Sequence, residues 1–308
     1  MFASALSNFA AANLAHILKS GNAEHVIKPV LQDDAFLADV AQARTDADHL
    51  HLWWLGQSGF LVQWQNHHLL LDPYLSDSLT QKYAATDKPH VRMTECVVAP
   101  ERLDFIEVVT SSHNHTDHLD KETLGPLLRA NPKLELVIPE ANREFVVDRL
   151  GIMAEQPRGL DAGQSVTLGP FKITAVPAAH NFVERDEWGR HKFLGYVIQA
   201  DTWTIYHSGD TKLFSDMEAR LAPFRIDVAL LPINGDWPER RVAGNLSGRE
   251  AAALGKQIGA RLVIPCHYDM FEFNTAPPDE FAAAARELRQ PFCILRAGER
   301  WSSSALNG

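Results

Sequence analysis

The spacing of apolar positions changes near residue 49 of the chain. Before it, "MFASALSNFAAANLAHILKS" and the stretch that follows carry apolar residues at helical spacing, which predicts a helical region over roughly residues 3–45. After it, "HLWWLGQSGFLVQW" predicts two strands around Gly56 and Gly59, and "HHLLLDP" a third that ends at Pro73, the start of a meander. Residues 74–103 show no period, and a connection that long inside a compact domain is functional or mobile.

"FIEVVTSSH" is a β-branched run, after which Asp120 can cap a helix beginning at Lys121. "LELVIP" predicts a strand, and Arg143 to Leu150 a short helix. "SVTLGPFKITAVPAAH" reads as a hairpin turning at Gly169-Pro170, and "KFLGYVIQA" with "TWTIYHSGD" as a second. "RIDVALLPIN" and "ARLVIPCH" are strands separated by a helix capped at Ser247. A last helix, "PPDEFAAAARELR", precedes a strand in "FCILRAGERW". Hairpins mixed with helical crossovers predict an α/β layered domain with two mixed sheets inside outer helices. The expected division is a helical N-terminal extension, 1–48, and one larger α/β domain, 49–308.

Composition narrows the class. The chain has 308 residues, 45% hydrophobic and 22% charged, enough for a substantial core and unlike a disordered protein. No apolar run approaches the ~18 residues of a membrane span, and no basic residue precedes the apolar N-terminal stretch as in a signal peptide. Three widely spaced cysteines, Cys96, Cys266 and Cys293, argue against a disulfide framework and for a cytoplasmic location. A net charge of −10 with no basic block lowers the expectation of a nucleic-acid partner. The N-terminal helices are open to three uses: a homo-oligomer interface, a lid or a brace.

The chemistry is concentrated in "SSHNHTDHLD", Ser111 to Asp120, which holds three histidines and two aspartates. If the segment is extended, His113, His115 and Asp117 point one way and His118 another. Two imidazoles on one side can hold one divalent ion, and His118 can reach a second beside Asp117. A polar loop of hydrogen-bonded histidines is the ordinary reading of any one of them, but four ligand-type residues in six positions favour a metal. A zinc shell needs about four ligands, and His180, Asp210 and His267 each stand just after an apolar strand, as the cluster does.

His113-x-His115-x-Asp117-His118, followed by His180, Asp210 and His267, resembles the metallo-β-lactamase fold superfamily. The resemblance implies the αβ/βα sandwich, one ion on His113, His115 and His180, another on Asp117, His118 and His267, and Asp210 between them. "WWLGQSGF", "SSHNHTDHLD", "IYHSGD", "IDVALLPING" and "LVIPCHYDMF" are further similar to the L-ascorbate-6-phosphate lactonase group. That narrower likeness is looser at Ala178–His180 and in the loop "NGDWPERRVAGNLS".

Two ions of this kind lower the pKa of a shared water, so that hydroxide can attack the carbonyl of an ester or lactone. Asp117 and His118 are the expected catalytic pair, Asp117 both as ligand and as the acceptor that orients the water. Histidines and carboxylates without a thiolate suit zinc, manganese or iron. "GQSGF" is not a nucleophile elbow, so Ser58 reads as a turn residue and Cys266 as core. His207 is a candidate donor behind a ligand, with a core role equally open. Arg92, Arg240 and Arg241 in polar loops are candidates for a substrate phosphate, with Asn181 and Trp237 as pocket walls. His67, His68 and His90 have no supporting pattern.

The reading is a dinuclear metal-dependent hydrolase that opens a small polar ester or lactone, a sugar-phosphate lactone such as L-ascorbate 6-phosphate among them. Phosphodiester hydrolysis, of a phospholipid or of nucleotide or RNA diesters, uses the same kind of site and is the alternative. A β-lactamase fits less well because no export signal is apparent, and a non-catalytic binding protein because every ligand position is filled.

Overall fold

The structure is a computed structural model that describes residues 26–306. The apolar N-terminal stretch of the chain lies outside the described residues. The first described helix, α1 (Asp33–Ala43), lays Phe36, Val40 and Ala43 into the core, and its Asp39 accepts a hydrogen bond from Trp53 Nε1 at 2.8 Å. It packs as an outer layer of the sandwich.

The meander forms as the turn chemistry predicts. Strands β1 (Leu50–Gly56) and β2 (Gly59–Trp64) pair antiparallel, with Gly56 and Gln57 at positive φ (93° and 50°) in the turn between them. β3 (His67–Leu71) pairs antiparallel with β2, and β4 (Val108–Thr110) then β5 (Glu135–Pro139) and β6 (Arg158–Leu160) add in parallel. Helices α3 (Lys121–Ala130) and α4 (Arg143–Leu150) make the crossovers, and α2 (Ser78–Tyr83) lies in the long connection after β3. The second sheet runs β12-β11-β10-β9-β8-β7, from β7 (Ser165–Leu168) and β8 (Phe171–Pro177) through β9 (Leu194–Ala200), β10 (Trp203–His207), β11 (Val228–Pro232) and β12 (Leu262–Cys266). α5 (Met217–Leu221), α6 (Gly248–Gln257) and α7 (Asp279–Leu288) complete the set. Ser247 caps α6 with a full capping box to Glu250.

Both faces of the first sheet are buried, and strand alternation sorts its residues. Leu52, Trp54, Phe60, Val62, Leu69 and Leu71 face the second sheet, while Trp53, Leu55, Leu61 and Leu70 face α1, α3 and α4. This is the αβ/βα sandwich expected from the sequence.

Two local expectations need correction. "FCIL" is not a strand: it touches β12 through a single bridge, Phe292 to Val263, and the last strand is β13 (Arg300–Ser302), antiparallel to β1. The short edge strand β6 escaped the periodicity altogether. The histidine segment is not extended, because β4 stops at Thr110 and the chain bends, with His118 N–H and Leu119 N–H both donating to His115 O.

Candidate metal centre

The bend regroups the side chains. Ligand atoms of His113, His115 and His180 lie within 4.8 Å of one another, and those of Asp117, His118, Asp210 and His267 form a second such group. Asp117 therefore stands with His118, and not with His113 and His115 as an extended segment would have it. All seven are carried on loops leaving the C-terminal ends of β4, β8, β10 and β12, so both sheets deliver donors to one edge of the sandwich.

Hydrogen bonds behind the imidazoles settle which nitrogen faces the centre. His180 Nδ1–H donates to Gly244 O at 2.9 Å, and His118 Nδ1–H to Asp72 Oδ2 at 2.7 Å, leaving each Nε2 lone pair inward. His118 Nε2 then stands 3.3 Å from Asp210 Oδ1 and 3.6 Å from Asp117 Oδ2, and His267 Nε2 3.3 Å from Asp210 Oδ2. Asp210 Oδ2 is also 3.8 Å from His180 Nε2, so this carboxylate touches both groups.

The donor set fits a cation. His113 Nε2 and His118 Nε2 are buried with no hydrogen-bond partner among the described residues, a costly condition that a cation between the groups would relieve. Burial would raise the Asp210 carboxyl, yet His267 and His118 hold it well below the ordinary carboxylate range. Burial drives the His113 imidazole well below its usual value, with His118 and His115 adding to the effect. His118 goes the other way: against the pull of burial, Asp210 and Asp117 raise it well above. The two carboxylates thus favour positive charge at this point between the donor groups, where a divalent ion would compete with a proton.

Several residues to which the motifs assign no role at the centre support this arrangement. Asp72, at φ 40°, receives His118 Nδ1–H, Ser112 N–H at 3.0 Å, Thr110 Oγ1–H at 3.1 Å and the Ser112 hydroxyl. Its only sequence signal was an aspartate closing an apolar strand. Gln57 reaches in from the β1–β2 turn, and Ser58 is more than a turn residue, its hydroxyl 3.4 Å from Asp210 Oδ1. Gly209 lets the segments close: at φ 59°, a Cβ there would stand 2.6 Å from Ser112 Cβ. His207 makes no hydrogen bond to the seven, donating instead from Nε2 to Ser58 O at 3.0 Å.

The centre opens into a cavity of about 540 Å³. Its floor includes His115, Asp117, His180, Asp210 and His267. The long connection after β3 contributes Leu79, Lys82, Tyr83 and His90 to its walls, which answers what that segment is for and shows His90 to have been passed over. The five substrate-contact candidates are not among the lining side chains. Arg92 donates to Thr94 O and Ser76 O, Arg240 to Asn234 O and Thr275 O, and Arg241 pairs with Asp87 in solvent. Asn181 Oδ1 accepts from Gly244 N–H at 3.1 Å, pinning the loops around His180, and Trp237 is 54% exposed. The guanidinium groups of Arg92 and Arg240 satisfy nearby carbonyls, and that of Arg241 a carboxylate.

The model of the Beta-lactamase superfamily domain matches residues 67–268, and the chain belongs to this superfamily. It is 31% identical to a UPF0173 metal-dependent hydrolase of Caldivirga maquilingensis over 77% of this chain and 90% of that protein. A UPF0173 metal-dependent hydrolase of Pyrobaculum calidifontis is 28% identical, over 81% of this chain and 98% of the relative. Among solved structures, Igni18, a metallo hydrolase from Ignicoccus hospitalis, shares the fold with a TM-score of 0.60 at 22% identity, covering 82% of this chain and 98% of that one. No described helix is long and apolar enough to cross a membrane.

Proposed function

We propose that this metal-dependent hydrolase holds two divalent cations, one on His113, His115 and His180 and one on Asp117, His118 and His267 with Asp210 between them, and opens a small ester or lactone. The observation that carries the reading is the pairing of donor groups around Asp210 at the floor of a cavity, with buried imidazole nitrogens aimed at nothing else. When bound, zinc, manganese or iron would supply Lewis acidity, bringing the pKa of a water toward neutrality and polarising a carbonyl.

The chain's own residues do the rest. Asp72 and Gly244 O fix the tautomers of His118 and His180. Asp117, half-buried at the cavity floor, is the carboxylate placed to orient an attacking water as well as to hold a cation. A sugar-phosphate lactone such as L-ascorbate 6-phosphate belongs to the substrate class, and its phosphate would meet Lys82 at the wall.

The test is proton release by zinc- and manganese-loaded protein on a panel of lactones, beside colour release from bis(p-nitrophenyl) phosphate. Acid production from lactones with little diester cleavage is the expected result. Diester cleavage alone would move the protein to the phosphodiesterase class.

A further inference from the structure

Above the polar floor, one wall of the cavity is aromatic. The His90 ring stacks on Tyr83 with centroids 4.2 Å apart at 19°, and meets Phe271 and Phe273 edge-on at 5.2 Å and 4.4 Å. All four line the same cavity as His115, Asp117 and His267. Leu79 joins them, while Phe145 and Val242 also line the cavity.

The wall is built before any ligand arrives. Phe271 is 1% exposed and backed by the fully buried Tyr74, ring centroids 5.8 Å apart. Tyr74 Oη accepts Leu79 N–H at 3.0 Å, and Thr80 Oγ1–H donates to His90 O at 2.7 Å, so α2 and the His90 segment are tied into one unit. A surface held in place this way loses little entropy on binding.

Charge on the lining is sparse outside the floor. Arg149 Nη1 is committed to Asn114 O and Leu119 O, with its guanidinium over the Phe145 ring at 4.4 Å. Lys82 lies at the exposed side, its Nζ 5.0 Å above the Tyr83 ring. A buried pair of free N–H donors for a phosphate, of the sort arginine forks supply, is not among the described lining groups.

We propose that the substrate carries an apolar flank, an alkyl chain or an aromatic ring, seated against Tyr83, His90 and Phe273, with Phe271 packed behind them, while its carbonyl meets the polar floor. The proposal rests on the ester-or-lactone reading above. It assigns the long connection between β3 and β4 the task of selecting substrates.

A chain-length series tests it: kcat/KM of the metal-loaded protein on γ-butyrolactone, γ-octalactone and γ-decalactone, with phenyl and 2-naphthyl acetate as the ring arm and D-glucono-1,5-lactone and L-ascorbate 6-phosphate lactone as polar members. Full burial of each added methylene allows up to about fourfold, so a gain of at least tenfold from γ-butyrolactone to γ-decalactone, or from phenyl to naphthyl, is expected. Tyr83→Ala and Phe273→Ala should each lower the long-to-short ratio at least threefold. Calorimetric binding of decanoate and acetate supplies a readout without turnover, with decanoate expected to bind at least tenfold more tightly and Phe273→Ala to erase the difference. Lactone opening with a flat chain-length profile, or with the polar lactones preferred, would overturn the aromatic-wall proposal and leave the hydrolase reading standing. Tight decanoate binding without opening of any lactone or ester would keep the wall and overturn the ester-or-lactone reading.

Discussion

The side-chain amide of Gln57 donates to Asp117 Oδ2 at 2.7 Å, and the same nitrogen stands 3.0 Å from His267 Nε2. One buried amide thus joins two of the four donors of the second group. The backbone clamps it there, for Gln57 O accepts both His267 N–H at 2.8 Å and Trp54 Nε1–H at 3.0 Å. A cation on His267 would take the lone pair that this amide uses, while the bond to Asp117 can persist and hold the carboxylate in aim. Groups that orient ligands in this way are worth about 10- to 100-fold in metal affinity. Gln57→Met keeps the length and removes the donor, and should weaken retention of one of two ions by that factor, read by equilibrium competition with a chelator. Unchanged retention of both ions in a folded variant would assign the amide a packing role.

Asp72 acts through another residue in the same sense. It collects His118 Nδ1–H together with donors from Thr110 and Ser112, so its charge aligns the imidazole and anchors the start of the histidine segment. In Asp72→Asn one oxygen becomes an NH₂ that cannot accept, and His118 loses the partner that selects its tautomer. Metal affinity should fall about 10- to 100-fold, and folding stability by about 1–3 kcal/mol from the unsatisfied buried donors. Chelator competition and urea denaturation of the metal-free protein separate the two effects.

The sandwich was legible because its strands are long apolar runs punctuated by glycine, proline and capping residues, which local chemistry decides. The candidate metal centre was legible as a cluster of donors for a related reason: His113, His115, His180, Asp210 and His267 each follow such a run, and strand ends share an edge. What stayed hidden depended on contacts between distant segments. Asp72 lies 46 positions before His118, and "LDP" alone reads as a turn. His90 had no motif, and its place comes from stacking on Tyr83 and on phenylalanines near residue 272. The partners of Arg92, Arg240 and Arg241 were equally hidden, because polarity of a loop does not tell which carbonyl or carboxylate a guanidinium will find. "FCIL" misled because an apolar run can pack partly buried beside a sheet and meet its ladder at one bridge only.

Asp117 and His118 separate the two donor groups by mutation. Asp117→Ala or His118→Ala leaves His113, His115 and His180 intact, so metal content should fall toward one ion per chain and turnover should drop at least about 100-fold, the scale lost with a positioned acid–base group. Metal analysis after gel filtration, paired with the lactone assay, checks both. Full activity in both variants would remove the proposed mechanism.

Acid stability offers a test away from the centre. His68 on β3 is buried, its Nε2–H donating to Gln63 Oε1 at 3.2 Å and its ring edge-on to Phe105 at 4.8 Å. Burial pushes its pKa down to about 3, with the charges of Arg44 and His67 adding to the effect. An unfolded histidine titrates at about 6.5, so between those values the unfolded chain holds a proton that the folded chain refuses. The stabilising effect of the neutral ring is complete above about pH 6.5 and is lost as pH falls toward 3, at a slope of up to about 1.4 kcal/mol per pH unit. His68→Gln, neutral throughout, should flatten the decline of unfolding free energy between pH 6 and pH 4 by close to one proton. Urea denaturation at each pH reads the slope, and equal slopes in parent and variant would mean that His68 takes up its proton in the folded state.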